Sequence, residues 1–198
     1  MSEINHSIEK SIDTFEKISN ILYEKNVGGS DRRTLLMAYF DICMEHIQSI
    51  HVLVKAKLYG SAFALVRPFY ETYYRALWML KIATNDEVEK IMKGKFNFLN
   101  MGTKIKELDS IYTGTDFFDN LKSDSWGAMN DYTHSGILQL SRRWTNDELA
   151  PNYEESEIVE VLNATRMVLL LFTFVVLKEH KYNDEAEKVN TLIVNRQG

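Results

Sequence analysis

The chain has 198 residues, of which 45% are hydrophobic and 26% are charged, and its formal net charge is −5. This length and apolar content suit one domain with a real core and exclude a disordered chain. The single cysteine excludes a disulfide scaffold and a cysteine-rich zinc site, and the negative charge argues against sequence-independent nucleic-acid binding.

The first half of the chain predicts long helices, because it combines helical apolar spacing with few chain breakers. The first helix carries an apolar stripe from Ile4 to Leu22. A second helix is expected from the capping Ser30 to about Leu58, with Gly60 as its C-terminal stop. The third helix starts almost at once, so the two predict a central antiparallel hairpin over about 30–83.

A fourth helix is expected after the sequence Thr84-Asn85-Asp86-Glu87, which has the pattern of a capping box. Its apolar stripe extends to Leu99. The later predicted elements are a short helix around 105–111, a break at Gly114, a short helix at 117–131, a loop at 145–153, a long apolar core helix at about 154–179 and a short helix at 183–194. No stretch alternates cleanly as a strand does, so residues 1–198 are predicted to form a single all-α domain, a bundle of about five to seven helices.

The longest apolar run, from Met167 to Leu177, is too short for a membrane span, which needs roughly 20 residues. Extending it upstream to that length brings in Glu160 and Arg166. The N-terminus also lacks the pattern of a signal peptide. The protein is therefore expected to be cytoplasmic, with no membrane association.

Three charged residues stand out on the otherwise apolar third helix: Arg67, Glu71 and Arg75. Their i, i+4, i+8 spacing places them on one stripe. One interpretation is a structural ladder of ion pairs. The other is a cleft in which Glu71 orients two guanidinium groups toward a phosphate or carboxylate. Pro68, beside Arg67, predicts a kink there, with a late helix start as the alternative.

A second polar segment, Asn130-Asp131-Tyr132-Thr133-His134-Ser135-Gly136, is followed by Arg142. His134 is a candidate catalytic acid or base, because histidine exchanges protons near neutral pH, although a structural role is the alternative. Arg67, Glu71, Arg75, His46, Tyr132 and Arg142 are the candidate ligand-binding residues. His46 and His51 are five residues apart and fall on different helix faces, so neither a metal site nor a cofactor is expected.

Residues 45–144 resemble a family of uncharacterised bacterial proteins, a domain of unknown function. The resemblance rests on a His, a Ser-Ala pair, Arg-Pro-x-x-Glu-x-x-x-Arg-x-x-Trp, and Thr-His-x-Gly with a downstream Arg. The matching positions here are His46, Ser61, Ala62, Arg67, Pro68, Glu71, Arg75, Trp78, Thr133, His134, Gly136 and Arg142. The family brings no established activity.

A looser similarity is to HEPN-type helical bundles, which include metal-independent ribonucleases of bacterial defence and toxin–antitoxin systems. Their hallmark is an Arg followed after four to six residues by a His on the same helix. Here no Arg precedes a His at that spacing. Asn130 lies four residues before His134, and Arg67 or Arg75 would have to supply the charge from another helix.

Two functions follow as hypotheses. The first is a polar cleft that binds RNA or a phosphate-bearing small molecule, in its enzymatic form a ribonuclease; whether the chain is an enzyme stays open. It requires Arg67, Glu71, Arg75 and His134 to converge. The alternative is a non-catalytic interaction or regulatory module that forms a homodimer. In this case the ladder is fully paired within the chain, and the partner subunit covers aromatic surface of the third helix. The aromatic residues concerned are Tyr70, Tyr73, Tyr74 and Trp78.

Overall fold

The protein is a bundle of helices. The computed structural model describes residues 2–98, 101–111, 117–145 and 148–194. The helices are α1 (Glu3–Leu22), α2 (Asp31–Lys55), α3 (Tyr59–Ala64), α4 (Val66–Lys81), α5 (Asn85–Met92), α6 (Met101–Ile111), α7 (Phe117–Thr133), α8 (Ile137–Ser141), α9 (Glu155–Glu179) and α10 (Asn183–Val194). Within these ranges the β-structure is one isolated bridge between Thr145 and Glu148. The predicted all-α class is confirmed.

The central hairpin pairs α2 with α3 and α4 in antiparallel fashion. The start of α2 meets the end of α4, where Arg32 donates a hydrogen bond of 2.6 Å to the Met79 carbonyl. In the middle of α2, the Cys43 thiol lies 3.7 Å from the Phe69 carbonyl. Cys43 and Phe69 are fully buried, so this seam is part of the core. The hairpin fixes which face of α4 remains free for other elements.

The long helix α9 packs against α1, α2, α4 and α10. Glu155–Glu179 is the one helix of the described residues that is long and apolar enough to cross a membrane, and half of its most apolar stretch is buried inside the bundle. Phe172 of this helix contacts Phe40 and Tyr73, with ring centroids 5.3 Å apart in both pairs. The packing is that of a core helix, as its composition predicts.

The junction between α2 and α3 differs from the prediction. Lys57, rather than Gly60, has the left-handed conformation that ends the helix, with φ of 59°, and Leu58 N–H donates back to the Leu53 carbonyl. Gly60 lies in the first turn of α3. A Cβ there would lie 2.6 Å from the Arg143 guanidinium and 2.8 Å from the Tyr153 hydroxyl, so the tips of two side chains from a later segment lie close to this glycine.

The predicted third helix is divided at Leu65 into α3 and α4. Pro68 is the third residue of α4, in the first turn, where a missing N–H is tolerated. Because Pro68 cannot donate, the Ala64 carbonyl lacks its usual helical partner. The Thr133 hydroxyl shares its proton between the Met129 carbonyl of α7, at 2.8 Å, and the Ala64 carbonyl, at 3.3 Å, and the longer contact ties the break to α7.

The fourth helix is shorter than predicted. It begins with the expected capping box at Thr84 and Glu87 but ends at Met92, and Gly94 follows with φ of 64°. The chain beyond it turns back so that Phe96 packs on the Trp78 ring, 5.5 Å between centroids. The predicted stripe position Leu99 and the break at Gly114 lie outside the described residues.

The aromatic side chains of α4 are buried within the single chain. Trp78 and Tyr74 are 1% exposed, and Tyr70 and Tyr73 are 6% exposed. They are covered by rings from α7, α9 and the segment after α5, including Trp126, whose ring lies 6.4 Å from Tyr74. The expectation that α4 leaves aromatic surface for a partner subunit is therefore wrong, and a homodimer needs another interface.

Candidate functional site

The charged stripe of α4 forms a continuous ladder. Glu71 accepts hydrogen bonds of 2.9 Å from Arg67 Nε on one carboxylate oxygen and of 2.9 Å from Arg75 Nη2 on the other. The side chains of Glu71, Arg67 and Arg75 are 17%, 20% and 34% exposed, so the ladder lies mostly inside the protein. Glu71 thereby orients both guanidinium groups.

Arg67 also bridges from α4 to α7. Its Nη1 donates a very short hydrogen bond to the side-chain oxygen of Asn130 and lies 3.0 Å from His134 Nε2. Because a guanidinium has no acceptor, Nε2 must accept, which places the proton of a neutral His134 ring on Nδ1. We call Arg67, Glu71, Arg75, Asn130 and His134 the Arg67 cluster.

The end of α7 holds His134 in place. Ser135 has the left-handed backbone conformation, with φ of 55°, and the Gly136 N–H donates to the Asp131 carbonyl at 2.7 Å, closing a Schellman-type turn. A Cβ on Gly136 would lie 2.6 Å from the Asp131 carboxylate, which accepts from the Leu138 N–H. The glycine is thus required for the close approach of Asp131, while Ser135 makes the turn.

Beside the cluster lies a cavity of about 170 Å³, lined by Arg67, Pro68, Glu71, Thr133 and His134. Both blocks singled out in the sequence therefore meet at one place. The cavity is smaller than the ~300–1,000 Å³ of pockets that enclose a whole ligand. It has room for part of a molecule, such as a phosphate with its ester oxygens, while the rest stays in solvent.

Aromatic rings flank the two guanidinium groups. The Arg67 guanidinium carbon lies 5.3 Å from the Trp126 ring centroid, and that of Arg75 lies 5.4 Å from the Phe98 ring. These distances suit cation–π contact, which leaves the in-plane N–H groups free to donate. Arg75 Nε is buried and has no hydrogen-bond partner among the described residues, so the ladder is not fully paired.

The stripe continues into a second polar contact at Trp78. Its indole N–H donates to Glu107 of α6 at 2.5 Å, and Glu107 is paired with Lys104 at 3.3 Å. The Lys104 ammonium lies 3.9 Å from the Trp78 ring centroid. This arrangement fixes α6 on α4, close to the Arg75 end of the cluster.

Two other predicted ligand-binding residues, Tyr132 and Arg142, lie elsewhere. Both line a separate cavity of about 270 Å³ bounded by α3, α4, α7, α8 and α9. Arg142 makes a very short ion pair with Glu157 of α9. Burial raises the pKa of Tyr132, and its hydrogen bond with Arg142 opposes that shift. The structure thus separates these residues from the Arg67 cluster.

Among the described residues, no interaction joins His46 to the Arg67 cluster. It lies half-buried on α2, where burial lowers its pKa and the neighbouring Glu45 opposes the shift. Across the part of the chain that the structure describes, no group of three or more His, Cys, Asp or Glu side chains could hold a metal ion.

The residues predicted to bind a ligand included neither Trp126 nor Asn130. A signal for both exists, because Trp126, Asn130 and His134 follow the same i, i+4, i+8 spacing as the stripe on α4. Each of the three lies against Arg67. Two polar stripes on different helices at the same spacing are the pattern that would have found them.

Comparison with known protein families places these features within one matched span of the chain. The sequence pattern of a family of unknown function (DUF6988) matches residues 40–195, a span that contains both cavities and the whole Arg67 cluster. The chain belongs to this family. No curated protein and no solved structure matches the chain. Membership agrees with the predicted resemblance to an uncharacterised family, while the HEPN likeness stays a prediction.

Proposed function

We propose that the Arg67 cluster binds a phosphate-bearing ligand, best an RNA strand, and that the protein is a metal-independent ribonuclease of HEPN-like type. The observation that carries the proposal is the position of Arg67. Its guanidinium comes from α4 yet contacts both Asn130 and His134 on α7. An arginine beside a histidine is the pair that the HEPN resemblance requires and that α7 lacks in its own sequence.

The chemistry assigned to each side chain follows from the geometry. A guanidinium prefers a phosphate to a neutral imidazole, because the charged acceptor gives stronger hydrogen bonds. A bound phosphodiester therefore draws Arg67 away from His134 and frees Nε2 to act as a base. Glu71 keeps Arg67 oriented at the cavity, so that its guanidinium stabilises the charge that develops on the phosphoryl oxygens, while Arg75 adds its positive charge from outside the lining.

The reaction is an internal transfer. His134 takes the proton of the ribose 2′-hydroxyl, the 2′-oxygen bonds to phosphorus, and the bond from phosphorus to the 5′-oxygen breaks. The same imidazole returns the proton to the leaving oxygen. The products are a 2′,3′-cyclic phosphate and a 5′-hydroxyl end, and no oxidant, metal or further reactant is consumed.

The ladder alone does not account for the site. A structural ladder would be expected to satisfy all its buried donors, since an unpaired buried polar group is costly. Arg75 Nε has no partner within the described residues, and a cavity opens beside Arg67 rather than packed side chains. The cavity favours a ligand at Arg67, whereas Arg75 does not line it, so the unpaired Nε shows only that the ladder is incomplete.

The test measures binding and cleavage separately. Wild-type protein is incubated in EDTA with a fluorescent single-stranded RNA and with the same strand made with 2′-deoxyribose. Binding is followed by anisotropy, and products are identified by their end groups. We expect the RNA to be cleaved to cyclic-phosphate ends and the deoxy strand to be bound but not cleaved.

The matched variants are H134A and R67A, with H6Q on α1 and R33Q on α2 as controls that remove the same side-chain types elsewhere. We expect H134A to slow cleavage by at least 100-fold with binding retained. R67A should weaken binding at least tenfold, and the controls should match wild type. Binding without cleavage would disprove the ribonuclease activity alone. No binding, or equal losses in the controls, would disprove the proposal as a whole.

A further inference from the structure

The second cavity, which contains Tyr132 and Arg142, differs from the Arg67 cluster in chemistry. We call it the apolar cavity. Its walls are mainly aromatic and aliphatic side chains from α3, α4, α7, α8 and α9. They include Phe63, Val66, Tyr70, Met129, Leu138 and Val161. It shares no lining residue with the cavity beside Arg67. A concave, largely apolar site with a few polar groups is the usual form of a small-molecule pocket.

The polar groups at this cavity leave a net negative charge. Arg142 and Glu157 both line it and neutralise each other in an ion pair. Arg142 also donates to the Asn152 carbonyl, at 3.3 Å, while its buried Nε has no hydrogen-bond partner among the described residues. Glu160 also lines the cavity, is exposed, and has no hydrogen bond or ion pair with any other described residue. One carboxylate is therefore left free to meet a ligand.

Tyr70 adds a second observation at the same place. Burial, together with the negative charge of Glu160, raises the pKa of the Tyr70 phenol to about 12. The phenol thus stays neutral, and Glu160 is close enough to it for their charges to interact. The Tyr70 ring therefore belongs to the apolar interior of the cavity, and the Glu160 carboxylate forms its anionic edge.

The size of the cavity limits the apolar part of the ligand. An apolar cavity of roughly 150 Å³ is enough to bind benzene. The apolar cavity here, at about 270 Å³, is nearly twice that size and accommodates a bicyclic ring or a short branched chain. Phe63, Tyr70 and Tyr132 offer ring faces and edges, which favour an aromatic ligand.

We propose that the apolar cavity binds a small aromatic amine, with its ring among Phe63, Tyr70 and Tyr132 and its ammonium group at Glu160. An anion is disfavoured because Arg142 is already neutralised by Glu157. This site is independent of the proposed function at the Arg67 cluster. It binds a cation at a carboxylate, whereas the Arg67 cluster binds an anion at a guanidinium, and it uses other faces of α4 and α7.

The test uses three probes that share an indole ring and differ in the charge of the side chain. These are tryptamine, which is cationic, 3-methylindole, which is neutral, and indole-3-propionate, which is anionic. Each is titrated into the full chain by calorimetry at pH 7 in low salt. We expect tryptamine to bind at least fivefold more tightly than indole-3-propionate, with 3-methylindole between them, as charge complementarity requires.

Two kinds of variant locate the binding. E160Q keeps the shape but removes the charge, so it should reduce the preference for tryptamine over indole-3-propionate to less than twofold and leave 3-methylindole unchanged. A164L and A128L fill the cavity from α9 and from the exposed edge of α7, so each should weaken all three probes at least tenfold. A128L serves if A164L does not fold, because Ala128 is exposed.

The outcomes are decisive in either direction. Absence of saturable binding by any probe at millimolar concentration would overturn the proposal. So would tighter binding of the anion, a charge preference that persists in E160Q, or binding that both leucine variants leave unchanged. Cleavage of RNA is not measured here, so failure of this site and failure of the ribonuclease proposal are distinguished.

Discussion

The two cavities are built from the same pair of helices and yet have opposite character. On α4, Val66 and Tyr70 line the apolar cavity, while the next residues along, Arg67 and Glu71, line the polar one. On α7, Tyr132 lines the first, and Thr133, the next residue, lines the second. A helix turns by about 100° per residue, so neighbours in sequence face different surroundings.

The two cavities differ in whether their charged groups have partners within the protein. In the Arg67 cluster, the charged groups hold one another, and Glu71 shares its two oxygens between two guanidinium groups. At the apolar cavity, one ion pair is closed and Glu160 stands without a partner among the described residues. Removing a member of the Arg67 cluster should therefore destabilise the protein, whereas removing the charge of Glu160 should not. Stability measurements should separate them.

Replacing Glu71 should have the largest effect. E71L leaves two mostly buried guanidinium groups without their shared carboxylate, and removing one partner of a buried pair costs about 3–5 kcal/mol. Since these side chains keep some exposure, we expect a loss of about 2–3 kcal/mol in the free energy of unfolding, measured with urea. E160Q is the matched control and should change it by less than about 0.5 kcal/mol. Equal effects would mean that the two regions do not differ in this way.

The next effect concerns a histidine that belongs to neither region. His51 on α2 is buried, and its Nε2 has no partner among the described residues. Burial, with the nearby positive charge of Lys55, lowers its pKa from 6.5 to about 4. The folded protein therefore keeps this ring neutral at a pH where the unfolded chain protonates it.

The sign of the pH dependence follows. Above pH 6.5 the ring is neutral in both states and contributes no pH dependence. As the pH falls from 6.5 toward 4, the unfolded chain gains a proton first, so His51 reduces the free energy of unfolding by about 2 kcal/mol between pH 7 and pH 5. Urea titrations across this range should show H51L losing that part of the slope and H6Q keeping it. An unchanged slope in H51L would contradict the prediction.

A smaller effect is expected at the contact that links the polar cavity to the helix break. The Thr133 hydroxyl bonds to the Met129 carbonyl within α7 at 2.8 Å, as Thr72 bonds within α4. It also lies 3.3 Å from the Ala64 carbonyl, which Pro68 leaves without a helical donor. T133V should lower the free energy of unfolding by about 1 kcal/mol, because a partly buried carbonyl loses its hydrogen bond. T72V is the control, since Thr72 bonds only to the Pro68 carbonyl within α4, at 2.8 Å. A loss in T72V as large as that in T133V would argue against a link between α4 and α7.

Much of the helical architecture could be predicted because its signals are local. The predicted apolar core helix at about 154–179 and the short helix at 183–194 match α9 and α10 almost to the residue. The errors lie where a contact distant in sequence decides the local structure. Gly60 resembled a helix stop, yet it lies inside α3, where the side chains of Arg143 and Tyr153 approach it closely. Nothing within a few residues of Gly60 could have shown this.

The candidate site was predictable in part for the same reason. The stripe on α4 stands out because charges are costly on an apolar helix. The partnership of Arg67 with His134 depends on how α4 packs against α7, and spacing along the chain could not reveal it. At the apolar cavity, Tyr132 and Arg142 were predicted as ligand-binding residues. The cavity itself gave no signal, because wall residues such as Val66, Met129 and Val161 are also ordinary core residues.

The smallest expected effect tests whether the apolar cavity is room that the fold leaves unfilled. A164V adds two methyl groups at its wall, and filling such space commonly adds about 0.5–1 kcal/mol to stability. Valine also has a lower helix propensity than alanine, and A38V, at an exposed position on α2, measures that cost alone. We expect A164V to be more stable than A38V by about 0.5–1 kcal/mol in urea unfolding. If A164V is instead the less stable of the two, the added methyl groups clash with existing contacts. The cavity would then be too tightly formed to admit an aromatic ring, and the stability measurement would contradict the amine site before any ligand is titrated.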